Sequence, residues 1–516
     1  MAEYLSPAVF IEELSSGNKP IQGVGTSVGA FVGHAERGPL GLATAIDNYA
    51  QFVRTFGEPF DDGYLAFAVK AFFDEGGSSC YVVRTSHYTA PGTPAALASS
   101  KSFQNSGATP INVLTVRASS PGAWGERLTV VIARSVAAPD LFSLTIANAG
   151  AAVEVLTGLS MNPLSPAYAP VAVAQRSALV RVTDEVPAAS LLMPPDRRPA
   201  DTTAPQALSG GDDGLSSLAT GDYVGDAASA TGLHALDAVD DVNIISVPDA
   251  IDRDVHVQGM AYCEARGDCF YVADAAEGAV TATEVLHFKR AQGAYSGGNA
   301  LNSKYGALYA PWIDVIDPRS GAPRRIPPSG AVIGRYARTD GSRGVHKAPA
   351  GVVDGRLASV VGLGAAYSHA DQEKLNPQGI NVLRRFSGVG NAIWGARTVS
   401  SDPEWRYLNV RRLFLFLEES IAESTNWTVF EPNDPTLWKS IVRNVSAFLR
   451  LQWLAGALVG TTEEEAFYVK CDEETNPFES VQAGRVITEI GVAPSKPAEF
   501  VIFRIEQFDG GSDVSE

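Results

Sequence analysis

Few residues of this chain stand in spacings that could make or break bonds. Gly25-Thr26-Ser27-Val28-Gly29 matches the G-x-S-x-G nucleophile elbow, in which a serine on a tight strand-to-helix turn attacks an acyl carbon. Here SSGNKPIQG before the match reads as a loop and AFVG after it as a strand, so a glycine-rich turn explains it better. Gly23, Gly25 and Gly29 miss the dinucleotide-binding spacing because position 28 is Val, and no Gly-Lys dipeptide exists to open a phosphate loop. The histidines, His34, His87, His234, His256, His287, His346 and His369, form no HExxH and no pair at metal-ligand spacing. Asp212-Asp213 and Glu418-Glu419 read as solvated charge, since glycoside chemistry would need a pocket between two carboxylates. Arg266-Gly267-Asp268 falls between a predicted helix and a predicted strand and is a turn. The expectation is a non-enzyme without cofactor or metal.

A different kind of chemistry lies in charge. With 40 Lys and Arg against 58 Asp and Glu, the chain has a net charge of -18. That disfavours direct nucleic-acid binding, which needs clustered cations. Against this background Lys439, Arg443, Ser446 and Arg450 fall within roughly 60° of one another at about 100° per helical residue. Their helix is announced by Asp434-Pro435 and carries an opposite apolar stripe of Trp438, Ile441, Val442, Val445, Phe448 and Leu449. A preceding helix, announced by Asp402-Pro403, repeats Val410, Leu413, Phe414, Leu417 and Ile421.

Length and pattern bound the rest. At 516 residues and 45% hydrophobic content the chain is globular, with about three domains and ample core. Cys80, Cys263, Cys269 and Cys471 are scattered like reduced thiols, not a disulfide framework. MAEYLSPAVFIEELSS has no basic region before an apolar run, and no run of about 18 apolar residues occurs, so synthesis in the cytoplasm without membrane insertion is expected.

The expected fold is multidomain α/β. Residues 1–20 form an N-terminal arm, and 21–95 with 206–325 form a discontinuous open α/β sheet domain. In its second half strands NIISVPD, CFYVADAA and YGALYAPWIDVID alternate with helices VHVQGMAYCEAR and TATEVLHFKRAQG. Residues 96–205, with runs INVLTVRA, RLTVVIA and LFSLTIA, are a mainly β insertion. Residues 326–490 make a C-terminal domain that opens with a glycine- and proline-rich loop, Ile326 to Gly351. Residues 491–516 are a C-terminal arm with an acidic tail. The arms carry short alternating runs, Val9, Phe10, Ile11 and Glu12 at one end and Val501, Ile502, Phe503, Arg504 and Ile505 at the other.

The phrases WGART, WRYLNVRRL and FEPNDPTLW between Trp394 and Trp438 resemble the C-terminal core of contractile tail sheath proteins. GVGTSVGAFVGHAERGPL, FVRTFGEP, FFDEGGSSCYVVR, SSPGAWGERLTV, PPSG, RTDGSRGVHKAPA, LNPQGINVLR and PSKPAEF extend the resemblance in order along the chain. It implies a subunit that polymerises as helical hexameric rings around an inner tube, with baseplate and terminator or cap proteins as further partners. It implies that the two terminal runs above are donated to neighbouring subunits by strand addition, and that a helix carrying Lys439, Arg443 and Arg450 faces the tube. A surface-layer or cell-binding protein and a hydrolase built on Ser27 are the alternatives.

Overall fold

The computed structural model describes residues 20–502 and 504, apart from 62, 137, 187–195 and 251. Its described residues divide into two compact units, one of 24–343 and 349–411, the other of 20–23, 344–348 and 412–504.

The larger unit is organised by a nine-stranded sheet. Ile380–Phe386, Gly306–Ala310, Phe270–Asp274, Ile244–Ser246, Gly29–Gly33 and Cys80–Arg84 run parallel in that spatial order. Antiparallel strands close both sides, Thr44–Ile46 beside Cys80–Arg84 and Gly390–Ile393 followed by Arg356–Leu357 beside Ile380–Phe386. Every residue of Gly29–Gly33, Ile244–Ser246, Phe270–Asp274 and Gly306–Ala310 is buried. Such continuous apolar runs are what a parallel strand covered on both faces requires. The helices between strands include Leu65–Asp74, Arg253–Arg266 and Ala282–Arg290. Thr281 and Glu284 cap the last of these reciprocally.

Three sequence expectations need correction here. The stretch from Ile326 to Gly351 is not an irregular loop: Ser329–Arg343 is a 15-residue helix, most of it buried. Its glycines serve contact, not turning. A Cβ on Gly330 would lie 2.3 Å from the Ala68 carbonyl oxygen, and one on Gly334 would lie 2.3 Å from that of Phe72. Two helices approach this closely only where side chains are absent, and a composition that reads as loop is here a packing surface. YGALYAPWIDVID is not one strand, because Pro311 has no N–H to give a ladder. Gly306–Ala310 stays in the large sheet while Ile313–Ile316 pairs with Pro323–Ile326 and Gly362–Leu363. Nor is residue 326 a boundary in the sheet, since Arg356–Leu357, Ile380–Phe386 and Gly390–Ile393 join it and the unit runs to residue 411.

The insertion is β-rich, with a four-stranded sheet and a three-stranded sheet over one core that includes Val116, Val130, Ile132, Phe142, Leu144 and Val173. Its strands show the expected period of two, as in Leu141–Asn148, where alternate residues are buried. Gln206–Ala207 adds a short strand just past the expected limit. Arg84, 1% exposed, roots the insertion by donating to the carbonyls of Pro121 at 2.9 Å and Gly38 at 3.2 Å.

In the smaller unit the helix Pro435–Leu454 packs Trp438, Ile441, Val445, Phe448 and Leu449 into a core with Ile21, Leu413, Leu417 and Leu458. Phe467–Lys470 and Glu489–Val492 form an antiparallel pair. The preceding helix begins at Leu408, later than Asp402-Pro403 suggested. Asp402 instead closes a turn onto the Glu404 amide at 2.9 Å, and the next residues bond back to the chain before it, Thr398 N–H to the Arg406 carbonyl and Leu408 N–H to that of Ala396.

Candidate assembly surface

Asp434 starts the Pro435–Leu454 helix as the sequence implies. Its carboxylate accepts from the amides of Thr436 at 2.8 Å and Leu437 at 2.9 Å, and Pro435 occupies the first turn. Trp438 Nε1 donates to Asn433 Oδ1 at 2.8 Å, fixing the entry of the chain. With the apolar stripe committed inward, Lys439, Arg443 and Arg450 are all exposed and Ser446 is half-buried. Arg450 Nε lies 3.7 Å from Glu463 Oε2, a surface pair that leaves the strip basic. The sequence reading did not include Leu451 and Leu454, which are 61% and 68% exposed at the end of this helix. Leu454 falls on the same helical face as Arg443 and Arg450. The available signal was phase, for both leucines are out of step with the buried stripe.

At the C-terminal arm, Phe500, Val501 and Ile502 are exposed, carry no strand pairing and are followed by an exposed Arg504. Val9, Phe10, Ile11, Glu12, Phe503 and Ile505 lie outside the described residues. The segment leading to this arm is held to its own unit, with Val459 N–H donating to the Ala493 carbonyl and Ser495 N–H to that of Ala457. Among the described residues the pair Phe467–Lys470 and Glu489–Val492 has two strands, and Tyr468 and Ile490 on it are exposed.

The residues singled out for covalent chemistry are dispersed. Ser27 precedes the strand Gly29–Gly33 and follows a segment without regular structure, the reverse of a nucleophile elbow. His256 is buried against Tyr271 Oη at 3.0 Å, and burial pushes its imidazole down to about 4. His87 pairs with Asp222, His234 with Asp237 and His369 with Glu373. Among the described residues no three His, Cys, Asp or Glu side chains gather into a metal site. All four cysteines are buried free thiols. Gly267 at φ +79° ends the helix Arg253–Arg266, and Arg266 folds onto Asp268 at 2.7 Å, which makes the Arg-Gly-Asp tripeptide a helix stop. Asp213 faces Arg84 at 3.6 Å. No described helix is long and apolar enough to cross a membrane.

Two family models match consecutive stretches of the chain, the phage tail sheath protein central domain over residues 220–399 and the phage tail sheath C-terminal domain over 400–508. Together they span more than half of its length. The tail sheath protein of Enterobacteria phage T4 is 25% identical over 264 residues, 49% of this chain and 39% of that protein. That of Escherichia phage P2 is 26% identical over 289 residues, 53% of this chain and 66% of that protein. That of Vibrio phage KVP40 is 28% identical over 195 residues, covering 37% and 28%. The chain thus aligns with less than two thirds of each of these relatives. Among solved structures, the contracted sheath complex of an extracellular contractile injection system superposes with a TM-score of 0.59 at 21% identity, over 98% of this chain and 99% of that one. A sheath tail protein from Desulfitobacterium hafniense gives 0.60 at 13% identity, over 90% and 93%. At these identities the structural likeness is one of fold.

Proposed function

The chain belongs to the phage tail sheath family, and from that premise we propose that it is the structural sheath subunit of a contractile injection apparatus. In this reading subunits stack as hexameric rings wound helically around an inner tube, on a baseplate and below a terminator or cap. The particle is a phage tail or a tail-like device assembled in the cytoplasm. Contraction then drives the tube through a target envelope. The observation that carries the reading is the ordered match of both sheath domains over residues 220–508.

No nucleotide turnover is needed for such a stroke. A lattice held extended by tube and baseplate contacts can be a kinetic trap that relaxes through bistable interfaces. Strand addition keeps subunits linked while they move: the runs around Val9–Glu12 and Val501–Ile505 would complete an open sheet edge on a neighbour, backbone bonds giving affinity and alternate side chains the register. The exposed Val501 and Ile502 and the two-stranded pair Phe467–Lys470/Glu489–Val492 support this assignment. The strip Lys439, Arg443 and Arg450 would meet acidic groups on the tube wall. The insertion of 96–205 would lie toward the outside, away from the tube.

Negative-stain electron microscopy of the full chain, with and without its tube protein, tests the proposal. Ridged hollow tubes or cogwheel rings are expected, and dispersed monomers in the presence of tube would overturn it. Deleting residues 1–14, or lengthening the SSGNKP joint, is expected to block assembly or contraction without unfolding the α/β unit; contraction by both variants would remove strand exchange from the account.

A further inference from the structure

The turn that leads into the helix Pro435–Leu454 holds a bulky residue where the backbone asks for none. Val429 at φ -68° and ψ 129° is followed by Phe430 at φ +70°, and the Glu431 N–H donates to the Thr428 carbonyl at 3.2 Å. These are the features of a type II turn, whose third residue needs positive φ and is ordinarily glycine. The other described non-glycine residues at positive φ are Ala149, Ser217, Ala230 and Ala291, all small. A phenyl side chain strains the backbone there. Within its own chain Phe430 gains no burial in return, for it is wholly exposed, beside a Val429 that is 59% exposed. The turn is nonetheless braced: Asn433 Nδ2 donates to the Arg485 carbonyl at 2.9 Å, and Asn433 Oδ1 accepts from Trp438. An aromatic ring held in solvent on a braced turn is a preorganised anchor for another surface.

The larger unit has a cavity of matching kind. The strand Ile380–Phe386 pairs with Gly306–Ala310 as far as Val382 and then runs on past it. At this end a cavity of about 440 Å³ is lined by Leu363, Ala365, Ala366, Leu383, Arg384 and Arg385. Leu383 is fully buried and Ala366 exposed, so the wall reaches from the core to the surface. An apolar cavity of about 150 Å³ already admits benzene, so a phenyl ring fits here with room for the turn behind it. Arg384 donates to Gln372 Oε1 at 2.9 Å, and neither Arg384 nor Arg385 has a carboxylate partner among the described residues. Glu431, exposed next to Phe430, carries the complementary charge.

We propose that Phe430 of one copy of this chain seats in the cavity beside Leu363 and Leu383 of a second copy, with Glu431 set against Arg384 and Arg385. Apolar ring meets apolar wall, and the charges at the rim fix the direction of entry. Knob and cavity belong to different parts of the chain, so the contact is heterologous and repeats into rings or helical filaments instead of closing as a dimer. It rests on the sheath reading, which supplies the many copies, and names one contact that would join them.

Crosslinking between full-length chains tests it. Val429→Cys in one chain and Ala366→Cys in another leave Phe430 and the rim charges in place, and the four native thiols are buried. The two chains are mixed with tube protein and treated with diamide, which takes two hydrogens from a neighbouring pair of thiols to leave a disulfide and is itself reduced to the hydrazine. Linked chains are read on a denaturing gel and tubes by electron microscopy. The mixture should give at least about tenfold more linked product than either chain alone. Tubes without the link would remove the contact and leave the sheath reading standing; the link without tubes would do the reverse; neither would remove both. Phe430→Gly in the Val429→Cys chain relieves the turn, so the Tm of dispersed chain should hold or rise while the link falls at least about tenfold. Glu431→Arg should also weaken the link, and Arg385→Glu in the partner chain should restore it. A fall in Tm with Phe430→Gly, or undiminished linking in either variant, would overturn the proposal.

Discussion

The helix Ser329–Arg343 in the larger unit and the helix Pro435–Leu454 in the smaller one use charge and glycine in opposite ways. In the first, Arg335 is buried and donates to Glu75 at 2.7 Å, while Glu75, fully buried, also accepts from the amide and hydroxyl of Ser359 at 2.7 Å each. In the second, Lys439, Arg443 and Arg450 stand in solvent and the chain packs through large apolar side chains. A buried cation must have its partner, and that makes it part of the fold; an exposed one is free to be part of a partner's recognition. The comparison teaches which charges to read as structure and which as function.

The comparison breaks most readily at Glu75. Glu75→Ala strands Arg335 without its carboxylate and is expected to cost about 3–5 kcal/mol, visible as a large fall in Tm. Asp274 is a subtler case. Its Oδ1 accepts the Ser329 amide at 2.8 Å, its other oxygen has no partner among the described residues, and burial pushes the carboxyl up to about 7. Because the folded state holds this proton where the unfolded state has lost it, Asp274 destabilises the fold increasingly as pH rises from about 4 through 7. Asp274→Asn should therefore raise stability by on the order of 2 kcal/mol at pH 8 and little at pH 4, read from Tm against pH. Gly334→Ala, forced against the Phe72 carbonyl, should cost about 1–3 kcal/mol. Asp434→Ala removes a cap and should cost about 1 kcal/mol. At the far end, Arg443→Glu with Arg450→Glu should change stability by no more than about 0.5 kcal/mol while abolishing co-assembly with tube. Unchanged co-assembly would remove the strip from the proposed interface.

Much of this was legible in the residues. The Asp434-Pro435 cap, the inward stripe from Trp438 to Leu449 and the outward strip were all readable, because a helix start and a helix face are set by local spacing. The strands Cys80–Arg84, Phe270–Asp274 and Leu141–Asn148 were readable for the same reason. Ser329–Arg343 was not, since Gly330 and Gly334 signal a loop unless the helix they meet is known.

By itself the sequence determined the α/β class, the β insertion, the exposed basic face and, through its ordered phrases, the sheath family. Only the tertiary structure decided that strands up to residue 393 belong to the large sheet and that Arg335 and Glu75 meet across 260 residues of chain. The physical reason is one of range. Caps, periodicity and charge phase are fixed by neighbours a few residues apart, whereas close approach, burial of a charge and strand order depend on residues the chain brings together only on folding.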